Sequence, residues 1–266
     1  MTAIFDQPLI LFFVMLTALI LMVELGRLVG RQLSVHEDTL RHEQLVASRD
    51  AIGILMSLLL GFTLAMALSR YDQRKQLMVD EANAIGTASL RTSMLPDSAR
   101  DKMLGLLREY VEARNRFSQA ALDGQQITQS IEQTKKLQNQ MWLMAIDVAR
   151  AAPTAITSLF VQSLNELIDL SEKRMSLLEN RVPPPIWIML TLIAALTCVT
   201  VGMTVRRRFW YAMMITPLMI AIVMSLIADL NSPRSGFLQT GRQSIERLRQ
   251  DLSPDSVSHP STQNPQ

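Results

Sequence analysis

"MSLLLGFTLAMALSRYDQRKQLMVDEANAIGTASLR", residues 56–91, passes from an unbroken apolar run into dense charge with no Gly-Pro break between them. The simplest reading is one helix that starts in hydrocarbon and ends in water. Crossing a core of about 30 Å takes roughly 20 apolar residues, and a start near Ala51 supplies them before the exit at Ser69-Arg70-Tyr71-Asp72. Beyond that point Met78, Ala82, Ile85 and Ala88 keep helical spacing to about Arg91, so the water-side half has a face to bury. Such a rod would couple a membrane layer to a soluble one.

The composition agrees with a chain that is part membrane and part soluble. Of 266 residues 48% are hydrophobic and 19% charged, with a mean hydropathy of +0.18. That is too apolar for an ordinary soluble domain and too charged for a compact transporter. A formal net charge of +2 gives no ground for a nucleic-acid partner. Cys198 is the single cysteine, which excludes an intrachain disulfide and a cysteine-based zinc site.

Three further apolar stretches match the one at Ala51–Leu68: Pro8–Val23, Ile186–Val205 and Phe209–Ala228. The first is read as a retained span rather than a signal peptide, because no Lys or Arg precedes it and no small-x-small cleavage pattern follows. Arg206, Arg207 and Arg208, followed by Phe209, Trp210 and Tyr211, form a cationic hairpin tip with an aromatic anchor at one interface, and Trp187 after Pro183-Pro184-Pro185 marks the other. Four spans put both termini and segment 70–185 on one side, with the 24–50 loop and the arginine tip opposite. Lys and Arg are nearly balanced between the sides, so charge does not set the orientation.

Segment 70–185 reads as helical throughout. After Pro96, with Asp97 or Ser98 as cap, a stripe of Met103, Leu107, Tyr110, Phe117 and Ala121 runs to a stop near Gly124. A second helix covers Ile127–Arg150, with Ile127, Ile131, Trp142, Ala145 and Ala149 on one side. A third starts at Pro153 and carries Ile156, Phe160, Leu167, Leu170 and Leu177 to Asn180. The expected fold is therefore an all-α integral membrane protein: four transmembrane helices with a helical bundle domain inserted between spans 2 and 3. Its parts are 8–69, 70–185, 186–230 and a polar tail at 231–266, whose end from Ser253 has a disorder-type composition.

Catalytic and cofactor signatures are lacking. There is no Gly-rich phosphate loop, nucleophile elbow or paired metal-ligand helix motif, so no cofactor and no enzymatic role is expected. His36 and His42 lie among Glu37, Asp38 and Glu43 and could hold a divalent ion, though solvated loop residues are the commoner case. Asn165, Glu166 and Asp169 sit within about one helical turn and suit either acid-base work or a solvated or intersubunit hydrogen-bonding face. Glu24 and Asp229, near span ends, belong at an interface or on an ion pathway. On the second span Met56, Leu60, Leu64 and Leu68 recur at four-residue steps, with Gly53, Gly61 and Ala65 as small surfaces elsewhere. The row is either lipid- or helix-facing, or the apolar constriction of an oligomeric pore that gates by dewetting.

The opening stretch resembles the second helix of bestrophins, the matching positions being Tyr71, Asp72, Arg74, Asn83 and Arg91. From about residue 8 to 240 the chain is similar to the bestrophin-like membrane proteins of bacteria, through "SRYDQRKQLMVDEANAIGTASLR", "LNELIDLSEKRMSLLENRVPPPIW" and "IADLNSPRSGFL". The second of these contains Asn165, Glu166 and Asp169. The resemblance implies a pentameric ion channel in the bacterial inner membrane, lined by the second helix, with both termini and the helical domain in the cytoplasm. Its partners would be the lipid bilayer, further copies of the chain and an inorganic ion. The aromatic-rich continuation of bestrophins is replaced here by Gln73, Lys75, Gln76 and Leu77, and no acidic calcium clasp can be mapped after the fourth span, so calcium gating is not carried over. The competing expectation is a non-conducting membrane sensor or scaffold whose helical domain binds a cytosolic partner.

Overall fold

The computed structural model describes residues 8–33, 39–119, 124–179, 182–205 and 210–232. These form seven helices and, among the described residues, no strand: α1 (Pro8–Gln32), α2 (Thr39–Thr92), α3 (Asp97–Gln119), α4 (Gly124–Ala151), α5 (Ala155–Glu179), α6 (Pro184–Thr204) and α7 (Trp210–Asn231). Four of them, α1, α2, α6 and α7, are long and apolar enough to cross a membrane.

The segment expected as a 24–50 loop is mostly helix. Glu24 and Arg27 form an ion pair one turn apart, so α1 continues past its apolar end to Gln32. Residues 39–50, "TLRHEQLVASRD", extend α2 backwards by three turns. Hydropathy marks the membrane part of a helix and not its ends: Leu, Arg, Glu, Gln and Ala are strong helix formers in water as well.

The chain divides into two compact units, with the division inside α2 between Tyr71 and Asp72. The first unit holds α1, α2 as far as Tyr71, α6 and α7. Its core is built from Leu11, Leu19, Val23, Met56, Leu60, Leu190, Cys198, Met224 and their neighbours. Here α1 packs chiefly on α6 and then on α7, and glycine decides how closely. A Cβ at Gly26 would collide with the Val199 carbonyl oxygen, one at Gly202 with the Val23 carbonyl oxygen, and one at Gly30 would lie 2.9 Å from the Met203 carbonyl oxygen. Gly26 and Gly30 are a small-xxx-small pair, the spacing that lets helix backbones touch. Gly53 and Gly61, the small residues singled out on the second span, face open space.

The second unit runs from Asp72 to Glu179. Met78, Ala82, Ile85 and Ala88 of α2 are buried, as their spacing predicts, together with Met103, Leu107, Tyr110, Met141, Phe160, Leu164 and Leu167. Ala121 lies outside the described residues. The buried row of α4 differs from the expected one: Ser130, Thr134, Leu137, Met141 and Ala145 are buried, while Ile127, Ile131, Trp142 and Ala149 are half-buried. Choosing only apolar positions misplaced that face by part of a turn, because it also carries hydroxyl and amide groups. At the start of α5 Thr154 Oγ1 accepts from the Thr157 backbone N–H at 3.2 Å, and Thr157 Oγ1 accepts from the Thr154 N–H at 2.9 Å. This reciprocal cap starts the helix after Pro153.

Candidate functional site

Along α2 the buried positions include Met56, Leu60, Thr63, Ala67, Arg74, Met78, Glu81, Ile85, Ala88 and Thr92 at three- and four-residue steps, with one seven-residue gap, and Ala82 and Ala84 widen the buried face. The opposite face is exposed. It starts apolar with Ile54, Leu58, Phe62 and Ala65 and becomes polar with Ser69, Asp72, Gln76, Asn83 and Thr87.

This periodicity places the four residues of the expected constriction. Met56 is 2% exposed and Leu60 8%, both inside their own unit; Leu64 is partly buried against the same cluster, and Leu68 is 48% exposed. They do not share one face. A four-residue step turns the helix by about 400°, so a row of such steps drifts about 40° each time and leaves the core between Leu60 and Leu68.

The family-motif positions are similarly spread. Tyr71 packs against the first unit's apolar cluster. Asp72 and Asn83 lie on the exposed face, and Arg74 is buried. The Arg91 guanidinium donates to the Leu159 carbonyl at 2.7 Å, joining the end of α2 to α5. Asn165 Nδ2 donates to Asp169 Oδ2 at 3.0 Å, and Asn165, Glu166 and Asp169 are all exposed on α5. Trp187 is buried near the start of α6. Arg206, Arg207, Arg208 and the side chain of Trp210 lie outside the described residues, as does His36. Among the described residues no group of His, Cys, Asp and Glu could hold a metal ion.

One polar constellation escapes a search for apolar stripes. Glu81, on the buried face of α2, accepts from Arg114 of α3 through both oxygens, Nε to Oε1 at 2.6 Å and Nη2 to Oε2 at 2.9 Å. Arg174 of α5 donates to Oε2 at 2.6 Å, and the Tyr110 hydroxyl donates to Oε1 at 3.3 Å. Ser171 and Gln138 hydrogen-bond in turn to Tyr110. Burial alone would raise the Glu81 carboxyl, but the guanidiniums of Arg114 and Arg174 outweigh it and hold the group below the usual carboxylate range. Burial, then the Glu81 charge, pushes the Tyr110 phenol up to about 12, so it stays a donor. Three helices are thereby tied through one carboxylate. The sequence does contain the signal: Glu81 lies beside Ala82 between Met78 and Ile85, Arg114 between Tyr110 and Phe117, and Arg174 between Leu170 and Leu177, each at helical spacing on a stripe that is otherwise apolar.

The family model of the bestrophin-like domain matches residues 11–245, and the chain belongs to that family. The structure is similar to that of a bacterial bestrophin homologue from Klebsiella pneumoniae, 16% identical, with a TM-score of 0.68 over 93% of this chain and 99% of the other. A single-residue variant of the same homologue gives 0.69 over 93% and 97% at the same identity. At this identity the likeness is one of fold. A search of curated proteins finds no match.

Proposed function

We propose that the chain assembles into an oligomeric ion channel of the inner membrane whose axis is lined by α2, with the helical domain inserted between the second and third spans on the cytoplasmic side, together with both termini. It is not an enzyme. The observation that carries this reading is the exposed face of α2, apolar through Ile54, Leu58, Phe62 and Ala65 and polar from Ser69 to Thr87. A ring of such faces would give a narrow apolar constriction that controls wetting, followed by a hydrated passage. Membership of the bestrophin-like family supports it, and by that resemblance the assembly would be a pentamer.

Burial inside the subunit takes Met56 and Leu60 away from such an axis, so we assign the constriction to the exposed row, with Phe62, 64% exposed, as its bulkiest member. Ion flux from liposomes tests this against the oligomeric mass of the same preparation. Phe62→Ala should widen the constriction and raise flux several-fold, whereas Leu60→Ala should cost about 2–5 kcal/mol of stability as a cavity-forming change with no direct effect on conduction. A silent, well-folded particle would turn the reading to a membrane scaffold.

A further inference from the structure

Beside the Glu81 cluster lies a partly open cavity of about 240 Å³ bordered by α3, α4 and α5. Its wall includes Arg114, Thr134, Gln138 and Ser171, each more than nine-tenths buried. Four buried polar side chains border one space, and each already has a partner in the core, Arg114 through its bonds to Glu81. The Thr134 hydroxyl donates to the Ser130 carbonyl at 2.7 Å, and Gln138 and Ser171 meet Tyr110. The cavity is thus continuous with the network around Glu81. At its rim stand Lys135, Ser176 and Glu172. Among the described lining residues the charged groups are two cations, Arg114 and Lys135, and one anion, Glu172.

The volume sets the size of a guest. It lies below the roughly 300 Å³ at which drug-sized pockets begin, and holds about eight waters at 30 Å³ each. Glu81, Arg114 and Arg174 together sum to one positive charge, and in a water-poor setting such a charge gains more from an anion than it would in bulk water.

From this geometry we infer that the cavity is a binding site for a small oxyanion, a carboxylate or a phosphate, seated between Arg114 and Lys135 with hydroxyl and amide groups around it. The inference is independent of conduction, since the cavity belongs wholly to the helical unit.

The test is thermal unfolding of the full-length, detergent-solubilised protein titrated with sodium phosphate and, separately, with sodium acetate, ionic strength being held with sodium chloride. Phosphate stabilises most proteins by exclusion from their surfaces, but that effect grows without saturating. Binding saturates. Two rim substitutions leave the buried cluster intact: Lys135→Gln removes one cation, and Ser176→Phe fills the mouth. The expected result is a saturating rise in Tm with one or both anions. Lys135→Gln should weaken the apparent affinity about two- to fivefold, as for loss of a rim charge, and Ser176→Phe should abolish the rise. Response to phosphate alone or acetate alone identifies which chemistry is held. A linear rise, or a saturating one that both variants leave unchanged, overturns the proposal and leaves a water-filled cavity.

Discussion

Where α1 crosses α6, glycines bring two backbones together; where α2 meets α3 and α5, a carboxylate, two guanidiniums and a phenol are drawn into an apolar core. The difference follows the polarity of each unit's outer faces, mostly apolar along α1 and α6 and mostly polar along α3 and α5. Lipid tails are as apolar as leucine, so helices in hydrocarbon gain little from burying side chains and depend on close backbone approach. Where the outer faces are polar, burial of Met103, Leu107, Phe160 and Leu164 already drives collapse. What collapse leaves open is register, and the observed alignment of α2, α3 and α5 is one in which both carboxylate oxygens are satisfied. A buried ion pair is weak support for stability in itself, so its contribution here is to specificity.

The largest effect expected from breaking this contrast is at Glu81. Glu81→Gln leaves Arg114 and Arg174 with a neutral partner in the core, and loss of one member of a buried pair costs about 3–5 kcal/mol. The pH dependence gives the sign. Because the folded Glu81 pKa is depressed, the contribution is complete above the unfolded value near 4.3 and is lost as pH falls through the lower folded value. Chemical unfolding of wild type from pH 7 down to pH 3 should therefore show a slope that Glu81→Gln lacks. Equal slopes would mean that the Glu81 carboxyl has the same pKa in the folded and unfolded states.

Next in size is Gly202→Ala. Its Cβ would strike the Val23 carbonyl, and relieving such overpacking costs about 1–3 kcal/mol. Gly61→Ala is the internal control, since nothing lies near its Cβ; within the subunit it should be close to neutral. Should Gly61→Ala also destabilise, the loss would report a neighbouring copy packed on that face, and oligomeric mass in detergent would separate the two cases. Tyr110→Phe follows. It removes a hydroxyl bonded to Glu81, Ser171 and Gln138, and leaving such partners unsatisfied costs about 1–3 kcal/mol, measurable by the same unfolding assay.

Much of this contrast is legible in the sequence, and unevenly so. The four candidate spans follow from apolar length, and the buried face of α2 beyond Asp72 follows from Met78, Ala82, Ile85 and Ala88, because those positions obey both hydropathy and helical period. The Met56–Leu60–Leu64–Leu68 row misleads because four-residue spacing alone does not account for drift around the helix. The Glu81 cluster is hidden for a different reason. A charged residue on an apolar stripe shows that a partner is needed but not which of many candidates supplies it, and Arg114 and Arg174 lie 33 and 93 residues away. The glycine contact is hidden likewise, since small residues announce close approach without naming what approaches.

The smallest expected effect sharpens the reading of the family motif. Asn165 and Asp169 are exposed and joined by one hydrogen bond along α5, so Asn165→Ala should change subunit stability by less than about 0.5 kcal/mol, as surface substitutions do. A side chain that matters so little within its own fold has little structural reason to occupy a motif. If Asn165→Ala unfolds normally but lowers oligomeric mass or ion flux, the residue acts across an interface between copies, which would support assembly through this face of the helical unit. If stability, mass and flux are all unchanged, the exposed pair is a solvated surface feature, and the functional weight of the unit rests on α2 and the buried carboxylate that holds it.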